Sequence, residues 1–193
     1  MASDITADCP QWLEQELRSD HAGETGAVYI YKGAKWALRQ YAPKTDKAKQ
    51  EFIKLNAFIT EHLEAESEHL YYFDRILQKK KWSKILPLWR LSGFLLGAIP
   101  TLYSPKAFYA TTAGVETFVE EHYNSQIARL EKEKSIYSNT ELLRLLKHCC
   151  KDEVEHKEQA ALRAGGDHAK RYKLWIKIVD VGSRVAVYFA KRF

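Results

Sequence analysis

Two Glu-x-x-His motifs are the residues of this sequence with the clearest capacity for chemistry. One runs from Glu66 to His69, and the other runs from Glu153 to His156. Residues three apart on an α-helix lie about 60° apart on one face, so each motif can direct a carboxylate and an imidazole at one point. One such motif alone would more often be a solvated helix face, because Glu and His are common on exposed helices.

Each motif is preceded by another segment of helical pattern that carries a candidate glutamate. Glu24 precedes the first motif, and Glu116 precedes the second. Two helix pairs, each with one Glu and then Glu-x-x-His, form the ligand pattern of ferritin-like di-iron and di-manganese bundles. Glu120, one turn after Glu116, is a competing candidate. We predict six metal ligands: Glu24, Glu66, His69, Glu116, Glu153 and His156.

The chemistry of this donor set favours two iron ions. Two ferrous ions carry four positive charges and four carboxylates supply four negative charges, which leaves a buried centre close to neutral. Carboxylate and imidazole ligands with open coordination positions suit non-haem iron that binds dioxygen. Thiolates are absent from the predicted set, which argues against an iron–sulfur centre.

Long helices must position these ligands. Apolar residues recur at spacings of three and four, and glycine and proline are few, with 9 and 5 residues among 193. We predict helices over about residues 12–40, 45–80, 105–134 and 138–164, with Gly165 and Gly166 ending the last of them. The fold class is therefore predicted to be all-α, a ferritin-like four-helix di-iron bundle with two additional helices in a single domain, residues 1–193.

Three glycines lie within the first predicted helix: Gly23, Gly26 and Gly33. Each costs a helix interior roughly 1 kcal/mol relative to Ala. Close contact with another helix or room for a ligand beside the metal would explain them. Close packing is the simpler explanation for Gly33.

The segment from Ile85 to Tyr103 is apolar but short. Pro87 and Pro100 bracket about a dozen residues with Arg90 among them, whereas a membrane span needs roughly 20 unbroken apolar residues. We therefore predict a helix in the membrane interface or in the core. A basic run just upstream favours the interface: Lys79, Lys80, Lys81 and Lys84. A second amphipathic helix is predicted from Tyr172 to Phe193.

The charge and the N-terminal stretch bear on partners and location. The formal net charge is +5, which suits anionic partners, either phospholipid head groups or nucleic acid, or simply a solvated surface. The first residues contain no apolar h-region and no Arg-rich amphipathic pattern, so neither a secretory signal nor a transit peptide is predicted. We expect a peripheral protein at the cytoplasmic face of a bacterial inner membrane.

Several stretches, taken together, form a more specific signature than the ligand pattern alone. They are Asp20–Glu24, Glu66–Leu70, Pro87–Trp89, Gly93–Gly97, Val115–Glu116, Glu121–Ile127, Asp152–His156 and Arg184–Tyr188. In combination they resemble the demethoxyubiquinone hydroxylase family, which carries out a late ring hydroxylation in ubiquinone biosynthesis. Generic ferritins share only the ligand pattern with this sequence. The resemblance to the hydroxylase family extends from about residue 18 to the end.

The resemblance implies a six-helix, oxygen-dependent di-iron monooxygenase that hydroxylates the ring of a polyprenyl methoxy-benzoquinol. It implies the six ligands named above, and it places a His-Tyr pair implicated in electron and proton delivery on His122 and Tyr123. Tyr123 also shares a predicted helix face with Glu116, and Tyr31 bears the same relation to Glu24. A plain aromatic core role is at least as good an explanation for Tyr31.

The expected partners follow from the same resemblance. It implies a polyprenyl quinone substrate and a membrane surface, with no nucleic acid. Partner proteins of ubiquinone biosynthesis and a homo-oligomer stay open. Dioxygen is the co-substrate, and the two electrons would come from NADH or from the quinol itself, since the sequence carries no nucleotide-binding motif to decide between them.

One departure and three alternatives remain. The stretch between Glu24 and Glu66 is about a dozen residues longer than expected for the family, which an elongated first helix pair or a longer connector would absorb. The alternatives are a related di-iron hydroxylase of another substrate such as a modified tRNA base, a ferritin-like peroxidase or iron-handling protein, and a non-catalytic scaffold.

Overall fold

The structure, a computed structural model, describes residues 9–40, 43–132 and 141–193. Its helices are α1 (Gln11–Arg39), α2 (Asp46–Ile76), a 3-10 turn (Lys79–Lys81), α3 (Leu86–Tyr103), α4 (Pro105–Lys132), α5 (Glu141–Ala164), α6 (His168–Arg171) and α7 (Lys173–Ala190). Over these residues there is no β-strand, so the all-α prediction is confirmed, consistent with a ferritin-like helical bundle. The predicted start of α5 at residue 138 and the predicted end of α4 at residue 134 lie outside the described residues.

The chain divides into two compact units. The first unit comprises Met1–Phe108 and Val185–Phe193, and the second comprises Tyr109–Arg184. Within the described ranges, the helix count exceeds the six that the family resemblance implies, because the four-residue α6 precedes α7.

In the first unit, α1 and α2 run antiparallel and are paired over much of their length. Three contacts define their register: His21 with Asp74, Tyr31 with His62, and Lys35 with Thr60. The α2 helix begins at Asp46 after a cap in which the Thr45 hydroxyl accepts a hydrogen bond from the Ala48 amide. Residues 40–45 lie between the two helices, so most of the stretch from Glu24 to Glu66 belongs to α1 and α2.

Glycines allow α3 to lie directly against α1 within the same unit. A Cβ atom added at Gly33, Gly93 or Gly97 would lie 2.1, 2.4 or 1.8 Å from the backbone oxygen of Phe94, Gly26 or Ile30 respectively. No larger residue fits at those positions without a backbone shift, which confirms the close-packing explanation for Gly33. Gly26 packs under the Trp89 ring, whereas a Cβ at Gly23 would meet nothing within 4 Å, so packing does not explain Gly23.

The apolar helix predicted from Ile85 to Tyr103 corresponds to α3, which runs from Leu86 to Tyr103. Pro87 lies in the first turn of α3, where its missing N–H costs nothing, but Pro100 lies inside the helix, which continues to Tyr103. Pro100 removes one backbone hydrogen bond, and it is itself buried. On the same turn, the Thr101 hydroxyl donates to the Gly97 carbonyl at 2.7 Å, and the Ser104 amide closes the helix onto the Pro100 carbonyl.

In the second unit, α4 and α5 run antiparallel, and the first part of α7 is fixed to α4. Three side-chain contacts join α4 to α5: Glu120 with Lys157, Asn124 with Cys150, and Glu131 with Lys147. The Trp175 indole N–H donates to the Thr111 hydroxyl at 2.7 Å. Gly165 ends α5 with a φ of 98°, a conformation that favours glycine, as the sequence predicted.

Candidate metal centre

The first unit brings Glu24, Glu66 and His69 together. Their side chains are buried, with relative exposures of 4%, 1% and 2%. Each offers a ligand atom within 4.8 Å of those of the other two. The Nδ1 atom of His69 lies 3.7 Å from Glu24 Oε2 and 3.7 Å from Glu66 Oε2. The antiparallel register of α1 and α2 thus places a glutamate of one helix level with the imidazole of the other.

These spacings fit a metal ion bound between the side chains. An ion about 2.1 Å from each of two donor atoms can join donors up to about 4.2 Å apart, and the observed separations are shorter. Two carboxylates and one imidazole are also the donor types that non-haem iron accepts. Buried carboxylates are costly unless they are paired or coordinate a metal, so the donor set and its burial both fit a metal site.

His21 lies one turn before Glu24 and ties α1 to α2. Its Nε2–H donates to Asp74 Oδ1 at 2.9 Å, and its ring stacks on Trp82 with centroids 4.4 Å apart. Burial lowers the pKa of His21 below its ordinary value, although the carboxylate of Asp74 opposes this shift. The neutral imidazole therefore links α1 to α2 and holds the Glu24 segment of α1 in position.

His62 is a buried residue near the ligands that the sequence analysis did not single out. It lies one turn before Glu66 on α2, is 1% exposed, and stacks on Phe58 with ring centroids 3.7 Å apart. Its Nδ1 must carry the proton, because it bonds the Phe58 carbonyl oxygen, which can only accept, at 2.9 Å. The spacing of four residues before Glu66 and seven before His69 was the available signal, since it places all three on one helix face.

The second unit holds the other three predicted ligands on α4 and α5. Glu153 and His156 are 1% and 7% exposed, and Glu153 Oε2 lies 3.5 Å from His156 Nδ1. Glu116 is 2% exposed on α4. The competing candidate Glu120 is instead half-buried and forms an ion pair with Lys157. The geometry therefore favours Glu116 over Glu120 as the inward-facing carboxylate.

Cys150 lies one turn before Glu153 but does not extend the donor set. Burial raises the pKa of its thiol, and the negative charges of Glu120 and Glu153 raise it further. The thiol accordingly stays protonated near neutral pH, and the protonated form is a poor metal ligand. Its Sγ atom lies 3.7 Å from the Asn124 amide oxygen.

The aromatic residues predicted near the site have different environments. Tyr123 is 1% exposed on α4 and shares the helix face of Glu116. The ring of His122 lies against Phe118, with centroids 5.8 Å apart, on a different side of the helix. Tyr31 contacts His62 and Phe108, at centroid distances of 5.7 and 6.0 Å, which is an aromatic packing environment.

The α3 helix has one face of small residues and one face of large apolar residues. Gly93 and Gly97 pack on α1, and the opposite face carries a stripe at helical spacing: Leu88, Leu91, Leu95, Ile99 and Leu102, each 44–58% exposed. The described part of the chain leaves about half of each of these side chains exposed. A similar exposed stripe follows α7: Leu174, Ile178, Val181, Val185 and Tyr188. None of the described helices is long and apolar enough to cross a membrane.

Comparison with known proteins decides the family. Residues 11–190 match the family described as "Ubiquinone biosynthesis protein COQ7". The chain belongs to this family. The match spans every helix named above, including both halves of the predicted ligand set. The resemblance drawn from the sequence is therefore confirmed.

Three curated relatives show how far the similarity extends. The chain is 30% identical over 184 residues to the "NADPH-dependent 3-demethoxyubiquinone 3-hydroxylase, mitochondrial" of Dictyostelium discoideum, covering 94% of this chain and 78% of the relative. It is 31% identical over 183 residues to the human protein of the same name, covering 93% and 77%. It is 28% identical over 184 residues to the "3-demethoxyubiquinol 3-hydroxylase" of Rhodospirillum rubrum, covering 93% and 78%.

Proposed function

We propose that the protein is an oxygen-dependent di-iron monooxygenase that hydroxylates the ring of a polyprenyl demethoxyubiquinol in ubiquinone biosynthesis. The observation that carries this proposal is the buried Glu24–Glu66–His69 group, in a chain whose curated relatives are named as demethoxyubiquinone hydroxylases. Family membership supports the reaction, and the donor set supports the metal.

The proposal takes residues 1–193 as a single ferritin-like domain whose centre uses all six predicted ligands. The first unit would supply Glu24, Glu66 and His69, and the second would supply three more: Glu116, Glu153 and His156. Four carboxylates would then balance two ferrous ions, so that the buried centre needs no further counter-charge. When bound, the iron ions would supply the redox chemistry that activates dioxygen.

The chain's own residues would hold the ligands in position, exclude water from the site and move protons. The His21–Asp74 bond and the glycine contacts between α1 and α3 hold the Glu24 segment in place. Tyr31 is buried against His62 and Phe108, and these rings would exclude water from that part of α1. Tyr123, buried on the face of Glu116, would carry a proton or an electron between the substrate ring and the centre.

The exposed stripe of α3 would attach the protein to the membrane that holds its substrate. A contiguous exposed apolar patch usually marks a binding surface, and a polyprenyl tail stays in lipid. Exposed lysines in the segment that precedes α3 would add attraction to anionic head groups: Lys79, Lys80 and Lys84. We place the protein peripherally at the cytoplasmic face of a bacterial inner membrane and expect no nucleic-acid partner.

The reductant is proposed to be a nicotinamide nucleotide. The sequence left NADH and the quinol itself open, and several relatives are named as NADPH-dependent enzymes. The sequence carries no nucleotide-binding motif, so reducing equivalents accepted at the surface would need an electron path that leads inward. His122, half-buried at the surface of α4 and adjacent to the buried Tyr123, is the proposed start of such a path.

The function is tested by following the quinone. Deleting the gene should replace cellular ubiquinone with its demethoxy precursor, and the wild-type gene should restore ubiquinone. The iron-loaded protein should convert a demethoxyubiquinol to the hydroxylated product, with one oxygen atom derived from labelled dioxygen. Unchanged ubiquinone in the deletion strain, or consumption of peroxide without any hydroxylated product, would contradict the proposal.

The role of Tyr123 makes a separate prediction. Tyr123→Phe should keep its iron, because the phenol is no proposed ligand, and should lose at least about tenfold in turnover, because it loses a proton donor at the site. Tyr71→Phe is the matched control, since Tyr71 is 53% exposed on α2. Loss of iron in Tyr123→Phe would show a structural or ligand role instead. Full turnover would remove Tyr123 from the mechanism.

A further inference from the structure

Thr112 on α4 has a buried hydroxyl group that the proposed reaction has not used. Its side chain is 1% exposed, and its Oγ1 atom forms no hydrogen bond with any part of the chain that the structure describes. A hydroxyl group that loses its water on folding and gains no partner is destabilising. The contribution of Thr112 to stability therefore does not explain why this position carries a hydroxyl group.

Other threonines within helices of this protein satisfy their hydroxyls in the ordinary way. Thr25 donates to the His21 carbonyl at 2.8 Å, Thr101 donates to the Gly97 carbonyl at 2.7 Å, and Thr117 donates to the Ala113 carbonyl at 2.7 Å. Each bond reaches back four residues along the same helix. Thr112 does not use the corresponding carbonyl, although it lies on the same helix as Thr117.

The position of Thr112 links its hydroxyl to the metal centre. Thr112 lies four residues before Glu116, so the two side chains lie about 40° apart on one face of α4, with Cβ atoms roughly 5–6 Å apart. The neighbouring Thr111 is already engaged by the Trp175 indole. Thr112 is therefore a buried donor and acceptor one turn from a proposed ligand, at a distance that leaves room for an intervening oxygen atom.

We propose that Thr112 is a substrate-binding residue whose hydroxyl hydrogen-bonds a ring oxygen of the quinol head group beside Glu116. This inference rests on the proposed function. A hydroxyl group both donates and accepts, so it can bond the ring oxygen as a phenol before oxidation and as a carbonyl after it. The polyprenyl tail offers no hydrogen-bonding atom. A water molecule on the metal is the other oxygen that could meet Thr112, and the test separates the two.

The first measurement concerns stability without metal or substrate. Thr112→Val removes the hydroxyl while nearly keeping the shape, so the metal-free variant should melt at or above the wild-type temperature. Thr101→Val is the matched control at another buried threonine, and it should melt below wild type because it removes a hydroxyl that donates to the Gly97 carbonyl. A metal-free Thr112→Val protein that melts clearly below wild type would overturn the inference, because the hydroxyl would then be serving the fold.

The second measurement concerns the quinone. In the iron-loaded protein under argon, a short-tailed demethoxyubiquinone should raise the melting temperature of wild type and of Thr112→Ser, and much less that of Thr112→Val. Under turnover, Thr112→Val should raise KM about tenfold, the loss expected for one hydrogen bond. Thr117→Val, an exposed control on the same helix, should stay within about twofold of wild type. Thr112→Ser keeps the hydroxyl and should raise KM much less than Thr112→Val does.

The outcomes are distinct. Weaker iron binding in Thr112→Val with an unchanged KM would assign the hydroxyl to a metal-bound water and overturn the substrate assignment. Unchanged iron, quinone binding and KM would overturn any ligand role. A wild-type protein that neither binds nor hydroxylates the quinone would overturn the proposed function itself, and the inference with it.

Discussion

Iron should be lost from the Glu66→Gln protein while the metal-free protein stays at least as stable as wild type. The wild-type protein, purified anaerobically with ferrous iron, should hold about two ions per chain. Glu66 is 1% exposed and lies 3.7 Å from His69 Nδ1, so its carboxylate is central to the first group of ligands. An amide keeps the shape but removes the charge. The affinity for iron should fall by more than about 10–100-fold, which is the usual loss when a residue that only hydrogen-bonds a metal ligand is removed.

The stability of the metal-free protein separates a ligand from a structural carboxylate. A buried carboxylate that serves the fold would be destabilising to remove, because its partners would remain unsatisfied. A buried carboxylate that binds a metal ion destabilises the fold when the ion is absent. Neutralising Glu66 should therefore leave the melting temperature of the metal-free protein unchanged or raise it. Glu64→Gln, at an exposed position of the same helix, is the control and should keep both iron and activity.

The second unit allows the same experiment independently. Glu153→Gln removes the carboxylate 3.5 Å from His156 Nδ1, and Glu155→Gln is its exposed neighbour. Turnover should fall below about 1% in Glu66→Gln and in Glu153→Gln, because a hydroxylase needs its complete centre. The number of iron ions per chain is measured by atomic absorption spectroscopy after desalting. If both variants kept two ions per chain, the ligand assignment would be wrong.

Periodicity and spacing predicted the helices and the burial of the proposed ligands for physical reasons. A metal centre in a helical bundle needs donors at spacings of three and four, and those spacings are visible in the sequence as Glu66–His69 and Glu153–His156. The same reasoning could not choose between Glu116 and Glu120, because both lie on similar faces. The choice depends on Lys157, a residue of another helix, which pairs with Glu120.

Backbone packing explains what the sequence could not predict. Pro100 lies inside α3 and removes one backbone hydrogen bond, and periodicity alone does not reveal that a helix continues past a proline. Gly33 was predicted to mark close packing, but its partner, the Phe94 carbonyl, comes from a segment far along the chain. The hydroxyl of Thr112 is likewise unremarkable in sequence, and only the absence of its usual bond within the described structure identifies it.

The membrane prediction concerns the apolar stripe of α3. Leu91→Glu combined with Leu95→Glu should release the protein from liposomes that contain anionic lipid. Leu91 and Leu95 are 57% and 44% exposed, on the face opposite the glycines that pack on α1, so the helix should stay folded in the variant. Burying two leucines contributes roughly 3–6 kcal/mol at full burial, so the membrane partition coefficient should fall at least about 100-fold.

Charge should assist this attachment without being sufficient for it. Lys79, Lys80 and Lys84 are exposed and would each add roughly 1 kcal/mol near an anionic surface. Lys81 contributes less, because it is only 17% exposed and pairs with Glu14 at 2.8 Å. Raising the salt concentration should therefore weaken binding of the wild-type protein only in part, since screening affects the charges and leaves the apolar stripe unchanged.

A control with the same change of charge makes the result specific to the stripe. Gln50→Glu combined with Asn56→Glu adds two carboxylates at exposed positions of α2 and should leave flotation with liposomes nearly unchanged. The α3 variant should keep its iron, because no proposed ligand lies in that helix. It should lose activity on a long-tailed demethoxyubiquinol in liposomes far more than on a short-tailed analogue in solution. If the α3 variant floated as well as the control, the stripe would not be the membrane contact, and an oligomer contact would have to cover it instead.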